Sequence, residues 1–309
     1  MSFKDTKIHL STKKFYFRNM ILVTGGTGLV GAHLLYRLVQ GNEQISAIYR
    51  FESSLEKTKT VFSSYGKDAY IHFEKIVWIR ADITDIPSLE HLFTQNFSTV
   101  YHCAALVSFE PNDYRAMRKV NIEGTANMIN FSITQNVSKF CYVSSIATLD
   151  NTVNKFIIDE DNDWNDEEDH HGYAITKYGA EMEVWRGSQE GLDVIIVNPG
   201  IILGSGSCNY GSGQLFKQVY KGLSFYTDGV TGFVGVQDVV KAMLLLMHSH
   251  HSNKRYILVS ENISFKNVLF LIADAFNKKR PSIKLPELLT SMIWRIDWFV
   301  SLVLRKDRL

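Results

Sequence analysis

Residues 20–31 read MILVTGGTGLVG, and this stretch decides the fold of the chain. Its first five residues form an apolar run typical of a buried strand, and residues 29–39 carry apolar side chains at helical spacing. The glycines therefore lie in a turn between a strand and a helix. In that setting a Gly-rich turn predicts a dinucleotide-binding site.

The glycines of this turn have different expected roles. Gly25 can take the positive φ of a tight turn. Gly28 lets the backbone approach a pyrophosphate, and Gly31 lets the helix close onto the strand. The unpaired N–H groups of the helix N-terminus then face the phosphates. The residues of the turn that we expect to contact the cofactor are Gly25, Thr27, Gly28, Leu29, Val30 and Gly31.

The next predicted strand, residues 45–50, ends in Arg50. An NAD-selective site places an acidic residue about 20 residues beyond the glycines, where it accepts a hydrogen bond from the ribose 2′-hydroxyl. A guanidinium at this place can instead pair with a 2′-phosphate. Arg50 therefore favours NADP over NAD as the cofactor. The alternative is a solvated Arg50, with Glu52 as the ribose ligand and NAD as the cofactor.

Tyr173 and Lys177 lie four residues apart in a segment, Tyr173 to Glu190, that we predict to be a helix. Side chains at this spacing share one helix face. A phenol with its unperturbed pKa of about 10 is a poor base at neutral pH unless a neighbouring cation stabilises the phenolate. Lys177 and an oxidised nicotinamide supply such a cation, so Tyr173 is a candidate proton donor or acceptor for a carbonyl and alcohol pair.

Several further pieces follow in order along the chain: Asp82 in residues 81–85 after a strand, residues 102–105 after the next strand, Asn121 in residues 120–125, and Ser145 at the end of the strand that contains residues 143–145. With these pieces the chain resembles the extended short-chain dehydrogenases/reductases, also called the NAD-dependent epimerase/dehydratase family. The resemblance runs from residue 20 to at least residue 276.

The resemblance implies a role for each active-site residue. Ser145 would hydrogen-bond the reacting oxygen, Tyr173 would transfer the proton, and Lys177 would hold the nicotinamide ribose. Asn121 would support a water relay, or would instead be a buried amide that fastens two elements. Ser144 is the alternative to Ser145. The same resemblance adds these cofactor contacts: Asp82, Ile83, Ala104, Ala105, Pro199, Ile201 and Ile202.

Details within the family narrow the chemistry. Sugar-nucleotide dehydratases place an Asp-Glu pair just after the catalytic hydroxyl residue, whereas residues 146–148 here are Ile-Ala-Thr. The acidic stretch 158–166 resembles that of dihydroflavonol-4-reductase-like and cinnamoyl-CoA-reductase-like proteins, which reduce ketones, aldehydes or thioesters with NADPH. We therefore predict NADPH-dependent reduction of a ketone or aldehyde on a small apolar molecule.

Two alternatives to a reductase stay open. Residues 198–204 begin with Asn-Pro, which some epimerase relatives use to reach a nucleotide-sugar phosphate, so a nucleotide-sugar 4-epimerase with tightly held NAD is the first. A non-catalytic NAD(P)-binding regulatory protein is the second.

Composition agrees with a cytoplasmic enzyme. A chain of 309 residues that is 45% hydrophobic can bury a large core, and a net charge of +1 predicts no nucleic-acid partner. The three cysteines are far apart and are expected to be reduced. The histidine pairs at 170–171 and 250–251 and the acidic run at 159–169 lack ligand spacing, so no metal site is predicted.

Alternating strands and helices predict an α/β fold, a doubly wound parallel Rossmann sheet with a smaller, mostly helical C-terminal substrate domain. We expect the sheet in residues 20–203, rejoined by a strand at 255–259, and mainly a substrate lid in residues 204–309. Residues 1–19 are expected to be a flexible extension.

Two expectations concern partners other than the substrate. The apolar stretch 288–304 is interrupted by charged residues midway, so a lid or dimer helix is favoured over membrane contact. By the resemblance, the protein forms a homodimer through the helices around 113–135 and 173–190.

Overall fold

The protein has an α/β architecture built around one large sheet, and its computed structural model describes residues 20–66, 68–150, 157–206, 208 and 211–285. In chain order the strands are β1 Met20–Thr24, β2 Gln44–Tyr49, β3 Val77–Arg80, β4 Thr99–His102, β5 Lys139–Val143, β6 Asp193–Pro199, β7 Ile201–Leu203, β8 Phe225–Tyr226, β9 Val230–Gly235, β10 Lys254–Leu258, β11 Glu261–Ser264 and β12 Ile283–Lys284.

Helices separate most of these strands. The α-helices are α1 Leu29–Leu38, α2 Leu55–Ser63, α3 Ala69–Phe73, α4 Ile86–Leu92, α5 Tyr114–Met117, α6 Gly124–Thr134, α7 Gly172–Gln189, α8 Gly213–Tyr220, α9 Val236–His248 and α10 Phe265–Ala275. The shorter helical segments are the 3₁₀ turns Glu52–Ser54, Pro111–Asp113 and Ile146–Thr148 and the π-helical turn Arg118–Glu123.

Seven strands form one parallel sheet in the order β10-β6-β5-β4-β1-β2-β3. The order reverses at β1, because the chain adds strands first on one side of it and then on the other. Such a reversal opens a crevice at the carboxyl ends of β1 and β4, where ligands of doubly wound sheets bind. The predicted fold class is therefore confirmed, and the late strand does rejoin the sheet, since β10 pairs with β6.

Both faces of the sheet are buried, which explains its nearly continuous apolar strands. In β1, Ile21 and Val23 belong to one core together with residues of α1 and α9. Leu22, which points to the other face, belongs to a second core with residues of α6 and α7. The carboxyl ends of the strands are thus held by two packed layers of helices.

The part of the chain after residue 204 divides between two places. Helix α9 packs against α1, β5 and β6, so it belongs with the main sheet. The rest forms a small core of α8 and α10 with a three-stranded sheet, in the order β11-β9-β7, and a strand pair, β8 and β12. The predicted stretches 1–19 and 288–304 lie outside the described residues, and the domain boundary at residue 204 stays a prediction.

Candidate active site

The Gly-rich turn lies at the carboxyl end of β1, directly beside the end of β4. Gly25 has a φ of +66°, as predicted, and a Cβ added to it would lie 2.6 Å from the backbone nitrogen of Ala104. The Gly28 N–H donates to the Gly25 carbonyl over 2.9 Å and closes the turn. A side chain at residue 25 would therefore meet both an unfavourable backbone angle and rigid neighbouring backbone.

Gly31 closes α1 onto the same turn. A Cβ there would lie 2.2 Å from the Gly25 carbonyl oxygen, so only glycine allows this approach. Gly28 precedes the helix without a side-chain cap, and the first turn of α1 contains no acidic residue. The free N–H groups of the helix N-terminus are therefore available to an anion. These features fit the diphosphate of a dinucleotide.

Other predicted cofactor residues lie at the carboxyl ends of neighbouring strands. Ala104 and Ala105 follow β4, and Ile201 and Ile202 belong to β7, which begins just after Pro199 at the end of β6. The topology therefore brings these residues to the same edge of the sheet as the turn.

The two predicted residues after β3 have different surroundings. Asp82 accepts hydrogen bonds at one carboxylate oxygen from the N–H and the hydroxyl of Thr84, both over 2.9 Å. The side chain of Ile83 is buried, and a Cβ built on Gly124 would lie 2.6 Å from it. Ile83 therefore packs in the core beneath the edge, which leaves its backbone as the part nearest a cofactor.

Arg50 directly follows β2, the neighbour of β1 on the side away from β4. Its side chain is exposed, and its guanidinium lies 5.8 Å from the centre of the Phe51 ring. Glu52, the alternative ribose ligand, is also exposed and begins a 3₁₀ turn. Both side chains are thus accessible at the strand end where a ribose would lie.

Tyr173 and Lys177 occupy the first two turns of α7, whose N-terminus is capped by His171. The imidazole Nδ1 of His171 accepts the Ala174 N–H over 3.1 Å, which satisfies one free donor of the helix. The cap is held in place beside Tyr173, since the two rings lie 6.0 Å apart. The histidine pair expected at a helix end therefore supplies the cap of the catalytic helix.

Ser145, two residues after β5, lies beside Tyr173, and its hydroxyl accepts the Ala147 N–H over 3.1 Å. Burial raises the pKa of Tyr173 to about 12, and the neighbouring Ser145 side chain opposes this rise. The Tyr173 phenol is therefore protonated at neutral pH, as a proton donor must be. The stabilisation of a phenolate by Lys177 together with an oxidised nicotinamide stays a prediction.

The two adjacent serines, which sequence alone left as alternatives, point to different partners. The hydroxyl of Ser144 is buried and donates to the Glu181 carboxylate over 2.7 Å. The same oxygen of Glu181 also accepts from Thr148 and Asn198, over 2.8 and 3.2 Å. Ser144 is thus part of a buried cluster, whereas Ser145 faces Tyr173.

We expect substitutions of the two serines to have different effects, one on catalysis and the other on stability. Ser145→Ala should lower kcat by about 10²-fold or more, because it removes a donor to the reacting oxygen. Ser144→Ala should chiefly lower stability, by about 1–3 kcal/mol, because the buried carboxylate loses a hydrogen bond. Steady-state kinetics and thermal melts of both variants test this, and a larger kcat loss in Ser144→Ala would reverse the assignment.

Lys177 is buried, and its ammonium contacts the end of β5. The Nζ donates to the Val143 carbonyl over 2.6 Å and to the Tyr142 hydroxyl over 3.0 Å. Burial lowers the pKa of Lys177 to about 8, and the nearby Glu181 carboxylate opposes that effect. The charged form of this lysine is therefore present at neutral pH and is lost as the pH rises through about 8.

Asn121 lies in the π-helical turn between α5 and α6, and its amide is buried. It accepts the Leu106 N–H over 2.7 Å and donates to the Leu106 carbonyl and the Thr176 hydroxyl, over 2.9 and 3.0 Å. Both amide protons are therefore engaged. The structure shows the fastening arrangement, which ties the loop after β4 to α7, and the water-relay role stays a prediction.

Several polar residues near the site escaped the sequence analysis. Glu181 has none of its side chain exposed, and its second oxygen lies 3.6 Å from the Arg255 guanidinium. His102 and Tyr142, also fully buried, lie within strands that read as apolar runs. The sequence did contain a signal for His102 and Tyr142. Each is a polar residue near the end of a strand that was expected to be buried, shortly before predicted site residues.

An apolar patch lies at the mouth of the site, in the loop after β4. The Phe109 ring is 61% exposed and its centre lies 5.9 Å from that of Tyr173 and 5.3 Å from that of His171. Val107, two residues earlier, is 52% exposed. A group bound beside the Tyr173 hydroxyl would therefore meet apolar and aromatic surface.

The described part of the chain contains neither a metal-binding cluster nor a membrane-spanning helix. No cluster of three or more His, Cys, Asp or Glu side chains there is arranged to hold a metal ion. Of the helices in the same part, none combines the length and the apolar character needed to cross a bilayer.

Comparison with known proteins places the chain among NAD(P)-dependent enzymes. The profile of the NAD-binding family described as male sterility protein matches residues 23–239. Cinnamoyl-CoA reductase 2 of Medicago truncatula is 23% identical over 266 residues, which cover 83% of this chain and 76% of that protein. Anthocyanidin reductase of Arabidopsis thaliana is 25% identical over 297 residues, covering 89% of this chain and 84% of that protein.

Among solved structures, UDP-glucose 4-epimerase of Thermotoga maritima matches with a TM-score of 0.72 at 21% identity, covering 86% of this chain and 85% of that one. This likeness supports the fold.

Proposed function

The chain belongs to the NAD-binding male sterility protein family of extended short-chain dehydrogenases/reductases, and from this premise we propose that it reduces a ketone or aldehyde on a small apolar molecule with NADPH. The chain is an NAD(P)-dependent enzyme of the oxidoreductase and epimerase type, as its relatives are, and this class favours a catalytic role over the non-catalytic alternative.

The proximity of the Ser145 and Tyr173 side chains carries this proposal. A carbonyl oxygen placed between the two hydroxyls receives a hydrogen bond from Ser145 and the proton from Tyr173. Lys177, one turn along the same helix, places a buried positive charge beside them. Bound NADPH supplies the hydride. The protonated state of Tyr173 at neutral pH suits the direction of reduction.

The surroundings of the site support an apolar substrate. Phe109 and Val107 offer exposed apolar surface beside Tyr173. Binding of an aromatic or aliphatic group there would be favourable, because it removes apolar surface from water. The relatives named as reductases of cinnamoyl-CoA and anthocyanidin agree with this chemistry.

The epimerase alternative rested on Asn198 and Pro199. The side chain of Asn198 is fully buried, and its amide donates to the Ser145 carbonyl, the Thr148 hydroxyl and the Glu181 carboxylate, over 3.1, 3.0 and 3.2 Å. Because this amide faces the core, it is poorly placed to reach a nucleotide-sugar phosphate. This arrangement favours the reductase over the epimerase.

We also propose that the protein acts in the cytoplasm as a homodimer. Cys103, Cys141 and Cys208 are all free thiols, as a reducing compartment requires. Ile175 and Met182, seven residues apart on α7, expose apolar side chains on one helix face that a second copy could cover.

The choice of NADPH over NADH is tested at Arg50. Arg50→Asp should weaken NADPH binding by about 10- to 100-fold, because a charge-assisted contact to the 2′-phosphate is lost and a repulsion replaces it. Calorimetric titration of the purified protein with each nucleotide measures this.

Arg37→Asp is the matched control, since Arg37 is an exposed arginine in the last turn of α1, away from the Gly-rich turn. It should bind NADPH like the wild type. A wild type that prefers NADH, or that retains NAD through purification, would instead support the epimerase.

A further inference from the structure

A chain of buried polar side chains links the nucleotide turn to the catalytic helix. The hydroxyl of Thr24, the last residue of β1, is 2.6 Å from Nδ1 of His102. Nε2 of the same histidine is 3.0 Å from the Thr125 hydroxyl. All three side chains are completely or almost completely buried. We call Thr24, His102 and Thr125 the buried chain.

The buried chain reaches Tyr142: burial raises the pKa of the Tyr142 phenol, and the neighbouring Thr125 hydroxyl opposes that rise. Tyr142 in turn contacts Lys177 in two ways. Its hydroxyl oxygen is 3.0 Å from the lysine Nζ, and the same Nζ lies 4.5 Å from the centre of its ring. The ring and the hydroxyl therefore both stabilise the ammonium.

Hydrogen-bond chemistry sets the direction of this contact. An ammonium can only donate, so the Tyr142 oxygen accepts from Lys177. Tyr142 and Val143 take two of the three lysine N–H groups, and the third has no partner among the described residues. One donor is thereby left for the nicotinamide ribose that Lys177 is proposed to hold.

We propose that Tyr142 is a positioning residue, whose hydroxyl is anchored by the buried chain and in turn holds the Lys177 ammonium at the cofactor site. The inference rests on the proposed role of Lys177 toward the cofactor. Because Thr24 directly precedes Gly25, the buried chain lies between the turn that is proposed to bind the diphosphate and the tyrosine that contacts the lysine.

Other titratable groups also affect the pKa of Lys177, and none of them is substituted in the experiment described below. Glu181 on α7 and Cys103 after β4 both raise its pKa. His102 on β4 is neutral, because burial and the Lys177 charge lower the pKa of its imidazole to about 3. The neutral hydroxyls of Tyr142 and Tyr173 complete the surroundings. Of these groups only Tyr142 accepts a hydrogen bond from the ammonium through its side chain.

Tyr142→Phe isolates the hydroxyl, because it keeps the ring under the ammonium. Removing an acceptor of the charged form should lower the pKa of Lys177 by about one unit or more from its value of about 8. The pKa is read by NMR of lysine-labelled protein without cofactor, with the Lys177 signal assigned by its loss in Lys177→Met. NADPH affinity at neutral pH should fall about three- to tenfold in the same variant.

Tyr101→Phe is the matched control, since Tyr101 is an equally buried tyrosine on the neighbouring strand β4. It should leave both the Lys177 pKa and the NADPH affinity unchanged. If Tyr142→Phe does not fold, Thr125→Val tests the same link one bond further away, and a smaller downward shift is expected.

A Lys177 pKa in Tyr142→Phe, or in Thr125→Val as its substitute, equal to that of the wild type would overturn the proposal. The lysine titration is measured without cofactor, so it separates two failures. If the wild type does not bind NADPH but Tyr142→Phe still lowers the Lys177 pKa, the proposed function fails and the anchoring of the ammonium stands.

Discussion

Tyr173→Phe should lower kcat for carbonyl reduction by about 10²- to 10⁴-fold, the usual contribution of a positioned proton donor. Only the phenol hydroxyl is lost, because the Phe ring keeps the packing against Phe109 and His171. Binding of NADPH and thermal stability should stay close to wild type. Steady-state kinetics, calorimetric titration and a thermal melt of the same preparation measure the three quantities.

Tyr178→Phe supplies the control for this experiment. Tyr178 lies on the same helix, but it stacks on Trp164 at 4.5 Å. Its loss of a hydroxyl should leave kcat within about twofold of wild type, as expected for a surface substitution away from the site. A Tyr173→Phe variant as active as Tyr178→Phe would remove Tyr173 from the proposed mechanism.

Gly31→Ala should abolish measurable NADPH binding. The added Cβ would lie 2.2 Å from the Gly25 carbonyl oxygen, and backbone cannot rotate away as a long side chain can. The N-terminus of α1 must therefore move from the turn that positions it. We expect a destabilisation of about 1–3 kcal/mol as well, the usual cost of overpacking. Nucleotide titration and denaturant unfolding measure the two effects.

Gly229→Ala is the matched substitution in open space. A Cβ at Gly229 would meet its nearest atoms at 3.9 and 4.0 Å, which is ordinary contact. This variant should bind NADPH like the wild type. Normal binding by Gly31→Ala would show that the close approach in the turn is not needed for the cofactor.

Local patterns along the chain were enough to predict the main sheet. Apolar runs such as Met20–Thr24 alternate with segments whose apolar residues have helical spacing. A parallel strand that is buried on both faces reads as a continuous apolar run, so it can be recognised without knowing which strands it pairs with. The small sheet of β7, β9 and β11 escaped prediction because β7 has only three residues and β9, VTGFVG, contains glycines, which are depleted in strands.

Side-chain direction at the site could not be predicted in the same way. Ser144 and Ser145 are adjacent and chemically identical, and what separates them is Glu181, which a helix brings to one of them from a distant part of the sequence. Tyr142 presents the same difficulty, since its role depends on Lys177 and Thr125 from two other elements. Motif spacing identifies the residue types, whereas tertiary packing decides which atoms meet.

The most direct test of the account is net oxidation of NADPH by the purified protein in the presence of a panel of apolar aldehydes and ketones. Loss of NADPH absorbance, matched mole for mole by alcohol product, is the predicted result, and Tyr173→Phe should remove it. An intact NADPH signal with every carbonyl, together with conversion of a nucleotide sugar by protein carrying its own NAD, would contradict the reductase and establish the epimerase.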